Sequence, residues 1–166
     1  MARPLVDFLN ADTVSDFFTS RNSLLLPSGN LGIPRNKMPQ IVDFERFKRI
    51  LERQKVDFST VRRRIGSVKL AQNEVNTDKV YKMMLKYRSK NKRTRGGVDF
   101  SGFPPVITKD GYVLDGLHRQ VAMFNINRHA YHNYTMVEVG FKSLYKYLRN
   151  NPGRFAGVVE YKPLVD

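Results

Sequence analysis

Apolar positions in this chain follow two rhythms. Between residues 40 and 54, Ile41, Phe44, Phe47, Ile50 and Leu51 recur every three or four positions, which predicts an amphipathic helix. Leu5, Phe8, Leu9, Val14, Phe17 and Phe18 predict one or two short helices over 5–20. The intervening LLLPSGNLGIPRNKMP, 24–39, mixes Pro, Gly and Asn and reads as a loop lying across the body of the domain.

From residue 65 short strands and helices alternate. IGSVKL reads as a strand, and TDKVYKMMLKYRSK as a helix with Thr77 as N-cap and Val80, Met83, Met84 and Tyr87 as its buried stripe. VIT and YVLD flank Asp110-Gly111, the signal of a two-residue hairpin turn. A helix from Leu117 to about Asn125, a strand TMVEVGF and a helix FKSLYKYLRNN follow. The fold class expected is α+β, a small mixed sheet with surrounding helices. Residues 1–64 are expected to form a helical extension on a 65–151 core, with 152–166 an irregular tail or an edge strand.

Charge sharpens this picture. Lys and Arg outnumber Asp and Glu by 29 to 15, a formal charge of +14, which favours anionic partners, nucleic acid first among them. The absence of cysteine excludes disulfides and thiolate chemistry and fits a reducing cytoplasm. The opening MARPLVDFLNADTVSDFF carries acids within its apolar pattern, unlike a secretory signal, and no window approaches the ~18 apolar residues of a membrane span. A cytoplasmic protein without membrane association is expected.

The stretch DGYVLDGLHRQVAMF, 110–124, concentrates the candidate chemistry. A strand ending at Asp115, a bend at Gly116 and a helix whose first turn holds Leu117, His118 and Arg119 would aim orphan backbone N–H groups and a helix dipole at a bound anion. Gly116 would let a phosphate approach the backbone, Arg119 would grip it with two prongs, and Asp115 would hold a metal or orient a hydroxyl. The competing reading is structural: Asp-Gly is a common turn pair, His118 a satisfied half-buried ring, and Arg119 a partner for Glu138 or another acid.

The run PPVITKDGYVLDGLHRQVAMF, with SVKLAQNEVNTDKVYKM upstream at 67–84, resembles the ParB and sulfiredoxin superfamily, especially its ParB-like members with an Asp-Gly-His-His-Arg signature. These include the free serine kinase branch and ParB-like nucleases of phage or plasmid type. The resemblance spans roughly 65–148 and implies a nucleotide site made by Gln72, Asp115, Gly116, His118 and Arg119. It further implies ATP or another NTP with Mg²⁺ at Asp115, Glu74 as base, and Asp115 and His118 as its catalytic companions. One position departs: Leu117 stands where the signature has its first His, where sulfiredoxins carry a catalytic Cys, so sulfiredoxin chemistry is excluded. The CTP switch of partition ParB proteins is also not expected. The functional expectation is a kinase-like phosphotransferase associated with DNA. The alternatives are a ParB-like DNA nuclease and a non-catalytic DNA-binding or host-interaction protein that keeps the phosphate site.

Two basic stretches are candidate nucleic-acid contacts. KYRSKNKRTRGG packs Lys86, Arg88, Lys90, Lys92, Arg93 and Arg95 into a flexible-looking segment suited to following a phosphate backbone. ERFKRILERQKVDFSTVRRR, 45–64, adds a second basic face. His129 and His132 have a metal-like spacing but no third ligand nearby, so a surface loop is expected there, with Tyr131 and Tyr134 packing at the core or its rim.

Overall fold

The computed structural model describes residues 24–94 and 104–161, the side chains of 88–94 excepted. The helices expected over 5–20 lie outside the described residues. The described elements are β1 (Pro39–Ile41), α1 (Phe44–Arg53), β2 (Phe58–Arg64), α2 (Thr77–Thr94), β3 (Val106–Thr108), β4 (Val113–Asp115), α3 (Leu117–Asn127), β5 (Tyr131–Val137), α4 (Phe141–Asn150) and β6 (Val159–Tyr161). Two 3₁₀ turns, Arg35–Lys37 and Ile65–Ser67, join them. The fold is α+β.

A four-stranded sheet of order β2-β5-β3-β4 forms the centre. It is mixed: β5 runs antiparallel to β2 and parallel to β3, and β3 and β4 form a hairpin. Successive strand residues face opposite sides, so β5 sends Tyr134 and Met136 into one core and Val137 into another. The first core packs α2 and α3 against the sheet through Val80, Met84, Val121 and Met123. The second packs α1 and α4 on the other face through Phe47, Leu51, Phe141 and Leu144. Beside this body β1 and β6 pair antiparallel as a small second sheet.

Several expectations are corrected. Residues 24–64 are not a helical appendage, because β2 is an edge strand of the central sheet. Its sequence FSTVRRR leaves both faces largely exposed, so it lacks the apolar alternation that announces a strand. Residues 28–33 are stitched to 70–73 by backbone bonds from Leu70 N to Ser28 O (3.0 Å) and from Leu31 N to Ala71 O (3.1 Å). IGSVKL forms a 3₁₀ turn followed by an isolated pairing of Lys69 with Tyr112, not a strand. The segment after 152 contributes buried Phe155 and Val158 as well as β6. His132 sits within β5, against Tyr134, rather than in a loop.

Local chemistry explains two further differences. The α2 N-terminus is capped by Asn76 instead of Thr77: its Oδ1 accepts from Lys79 N at 3.1 Å. The β3–β4 connection spans four residues, 109–112, with Gly111 N bonded to Thr108 O (2.9 Å) and only Gly111 in the left-handed region, φ 85. Asp110 is withheld from the two-residue turn because its Oδ1 accepts from Thr108 Oγ1 (2.5 Å) and from Phe141 N (3.0 Å). It thereby caps α4, whose own first residues supply no side-chain cap.

Two buried amides on α3 fix this helix in the body. Gln120, with 0% exposure, donates to Ile65 O at 2.9 Å and accepts from the Tyr134 hydroxyl at 2.6 Å. Burial raises the Tyr134 pKa, with the Gln120 bond opposing, so the phenol stays protonated and remains a donor. Asn125 accepts from Leu25 N and donates to Leu25 O, both at 2.8 Å, and so docks the 24–33 segment. Replacing Gln120 with Met leaves the Tyr134 hydroxyl without its acceptor and Ile65 O with only its bond from Val68 N, and should cost about 1–3 kcal/mol. Thermal unfolding should fall by several degrees, and adding Tyr134→Phe should return part of the loss; melting curves of the single and double variants check this.

Candidate functional site

β4 ends at Asp115, and Gly116 turns the chain into α3. Gly116 adopts φ 98, and a Cβ there would lie 2.9 Å from Pro105 Cβ and 3.3 Å from Arg119 Nη2. Both the backbone conformation and the packing therefore demand glycine. Pro105 fills the side of Gly116 where a phosphate was expected to approach. The exposed face of the bend is instead the N-terminus of α3, which has no side-chain cap at Gly116.

Asp115 is held at the mouth of this bend by two backbone donors. Its Oδ2 accepts from Ile41 N at 3.1 Å, which ties β1 to β4, and its Oδ1 accepts from Gly116 N at 2.9 Å. Burial raises its pKa, opposed in turn by the Ile41 bond, the Arg119 charge, the Gly116 bond and the Lys79 charge. Burial lowers the Arg119 pKa while Asp115 and Tyr87 act against that, and a guanidinium remains charged at neutral pH. A one-residue irregularity in the β3–β4 register brings Asp115 opposite Val106 and aims it here.

His118 has a different role from the one expected. Its Nε2 accepts from Asn76 N at 3.2 Å, so that nitrogen carries a lone pair and cannot donate to a phosphate. Through Asn76, the α2 cap, it joins the starts of α2 and α3. Lys79, in the first turn of α2, is thereby placed beside the first turn of α3.

These elements enclose a cleft of about 290 Å³. Its polar lining is Arg35, Gln40, Gln72, Lys79, Asp115, His118 and Arg119; its apolar wall includes Met38, Ile41, Met83 and Leu114. Three cations from three elements thus line one cleft, and the charges of Arg119 and Lys79 act on its carboxylate. Arg35 and Lys79 were not among the expected site residues. Nothing in the local pattern marks them, since Arg35 sits in a Pro- and Asn-containing stretch and Lys79 in an ordinary helix start, and only the folding of residues 35–42 over α3 brings them together.

The other expected residues are dispersed. Gln72 lines the cleft, but its amide donates to Glu74 O within its own segment. Glu74 is exposed and outside the cleft lining, so the expected base is not brought to Asp115. Leu117 is 6% exposed and packs with the α2–α3 core. Lys86 is exposed on α2 with its ammonium 5.5 Å from the Tyr87 ring. The side chains of Arg88, Lys90, Lys92 and Arg93, and all of Arg95, lie outside the described residues.

Among the described residues Asp115 is the one carboxylate lining the cleft, each of its oxygens accepts one N–H bond, and no cluster of three or more His, Cys, Asp or Glu suited to a metal occurs, so no all-protein metal cage is present there; a magnesium ion at Asp115 would draw most of its ligands from phosphates and water. No helix among the described residues is long and apolar enough to cross a membrane.

Two outcomes follow. Gly116→Ala should destabilise the fold by at least about 1–3 kcal/mol, because it adds left-handed strain to a clash with Pro105; denaturant titration measures it. For Asp115, the folded pKa lies above the ordinary value of 3.8, so the folded state binds the extra proton. Its contribution to stability is complete below the ordinary value and is lost as pH rises through the raised one. The stability margin of the wild type over Asp115→Asn should therefore narrow as pH rises from about 4 and then level off, and a margin that widens with pH contradicts the burial described.

Neither a family model, nor a curated protein, nor a solved structure matches this chain.

Proposed function

We propose that the cleft binds the phosphate end of a nucleotide. The observation that carries this reading is the convergence of Arg35, Lys79 and Arg119 on a small cleft at the starts of two helices. The first turn of α3, which has no side-chain cap at Gly116, adds orphan N–H groups and a helix dipole to those three cations, an arrangement that attracts a polyanion. A volume of about 290 Å³ sits at the low end of small-molecule sites, enough for a phosphate chain with its sugar while the base lies toward the mouth. The sequence resemblance to nucleotide-binding ParB-like proteins and the +14 charge support the same reading, with nucleic acid as a second partner.

Binding is favoured over turnover. Glu74 stands away from the cleft, His118 Nε2 is engaged with Asn76, and Asp115 is tied by two amides. A kinase-like transfer is the second reading, and the raised pKa of Asp115 beside two cations favours it, since a perturbed acid in a cleft is a proton-transfer candidate. Nuclease action has no such specific support.

Calorimetric titration with ATP, CTP and inorganic triphosphate tests the proposal. Arg35→Ala and Lys79→Ala should each weaken binding at least about tenfold, equivalent to 1.4 kcal/mol. Unchanged affinity in both variants overturns it. Incubation with labelled ATP or CTP, with and without DNA and magnesium, separates the two readings: transfer or release that disappears in Asp115→Asn establishes turnover, and binding without either establishes a binder.

A further inference from the structure

Outside the cleft, the far end of the β2–β5 pair carries a concentrated positive charge. Arg62, Arg63 and Arg64 are consecutive on β2 and all exposed. Among the described residues no carboxylate forms an ion pair with any of them. β2 is also the edge of its sheet, with its outer backbone unpaired by another described strand. Cations on an edge strand discourage aggregation, and that alone would account for their charge.

The partner strand adds what that explanation leaves unaccounted for. In this register Arg62 faces Asn133 and Arg64 faces Tyr131, which puts these four residues on one face of the ribbon. Toward the other end of the same face Phe58 and Val137 are covered by the α1–α4 core, but here the face is open. Tyr131 is 55% exposed, a large aromatic at a position where a soluble strand ordinarily carries a polar residue. The Arg62 guanidinium lies 5.9 Å from its ring centroid, so cation and ring form one platform.

We infer that this ribbon face binds single-stranded nucleic acid, with Arg62 and Arg64 on successive phosphates and Tyr131 stacking on an unpaired base. The two arginines are two residues apart on one strand, roughly 6.6 Å at 3.3 Å per residue, comparable to the spacing of neighbouring phosphates in an extended strand. A ring needs an unstacked base to pack against, and a duplex hides its base faces; this commits the site to a single strand. Asn133 stands alongside as a donor and acceptor for a base edge. Arg63 points to the opposite face, where its Nη2 approaches Met136 Sδ at 3.5 Å and it lines a second cleft of about 260 Å³ with Lys69 and Lys109. The positive surface therefore continues around the sheet edge, away from the nucleotide cleft and independent of it.

Fluorescence anisotropy with a labelled oligothymidylate and a duplex of equal length tests the inference on the full chain. Arg62→Glu combined with Arg64→Glu should reduce single-strand affinity at least tenfold and lower the salt slope by about 1.4, at ~0.7 per phosphate contact. Tyr131→Ala should cost roughly fivefold or more, and Tyr131→Phe should retain binding, because the ring stacks and the hydroxyl does not. Lys142→Glu combined with Lys146→Glu, on exposed positions of α4, changes net charge equally and should have a much smaller effect. Equal losses in the two charge-reversal pairs, no loss in Tyr131→Ala, or tighter binding to duplex than to single strand would each overturn it. Nucleotide binding in the cleft should be unchanged by the ribbon variants, so failure here leaves the cleft proposal standing.

Discussion

The bond from Ile41 N–H to the Asp115 carboxylate is the constraint on which the cleft depends. It joins the small β1–β6 sheet to the last strand of the central sheet at the point where that strand bends into α3. It adds a polar tie between β1 and the bend to the packing of Met38 and Ile41 in the second core. The same carboxylate also steadies Gly116 N. A buried acid is costly to ionise, and here the cost is offset by two amides and two neighbouring cations, the combination that lets a charged group persist in a half-closed space.

A second joint reinforces the first. His118 on α3 and Asn76 before α2 connect two helix starts through a ring nitrogen and a backbone amide, so Lys79 and the first turn of α3 line one cleft. Histidine here is structural in action and electrostatic in effect, since it decides where Lys79 stands. Gln120 and Asn125 do comparable work deeper in the body by bonding α3 to the backbone carbonyls of Ile65 and Leu25 in two other segments.

Much of this architecture was legible in the sequence. The periodicities of α1, α2 and α4 and the strand-bend-helix at Asp115–Gly116–Leu117 rest on local patterns, and local patterns suffice where one face is apolar. β2 was missed because three arginines and two hydroxyl residues erase the alternation, and an edge strand needs little burial to form. Arg35 was missed for a different reason: its role depends on a fold-back of the 24–42 segment, and nothing within that stretch reports its destination. Glu74 shows the converse limit. The resemblance implied it as the base at the site, but its side chain is exposed and outside the cleft lining.

The pairing of β1 with β6, Pro39 opposite Tyr161, has a consequence for how the molecule assembles. Contacts between such distant parts of a chain carry a large loop-closure entropy, which must be met before they give anything back. The β1 wall of the cleft therefore leans on a strand that arrives from the far end of the described residues, so a substitution in β6 can reach the cleft through β1 without lining it.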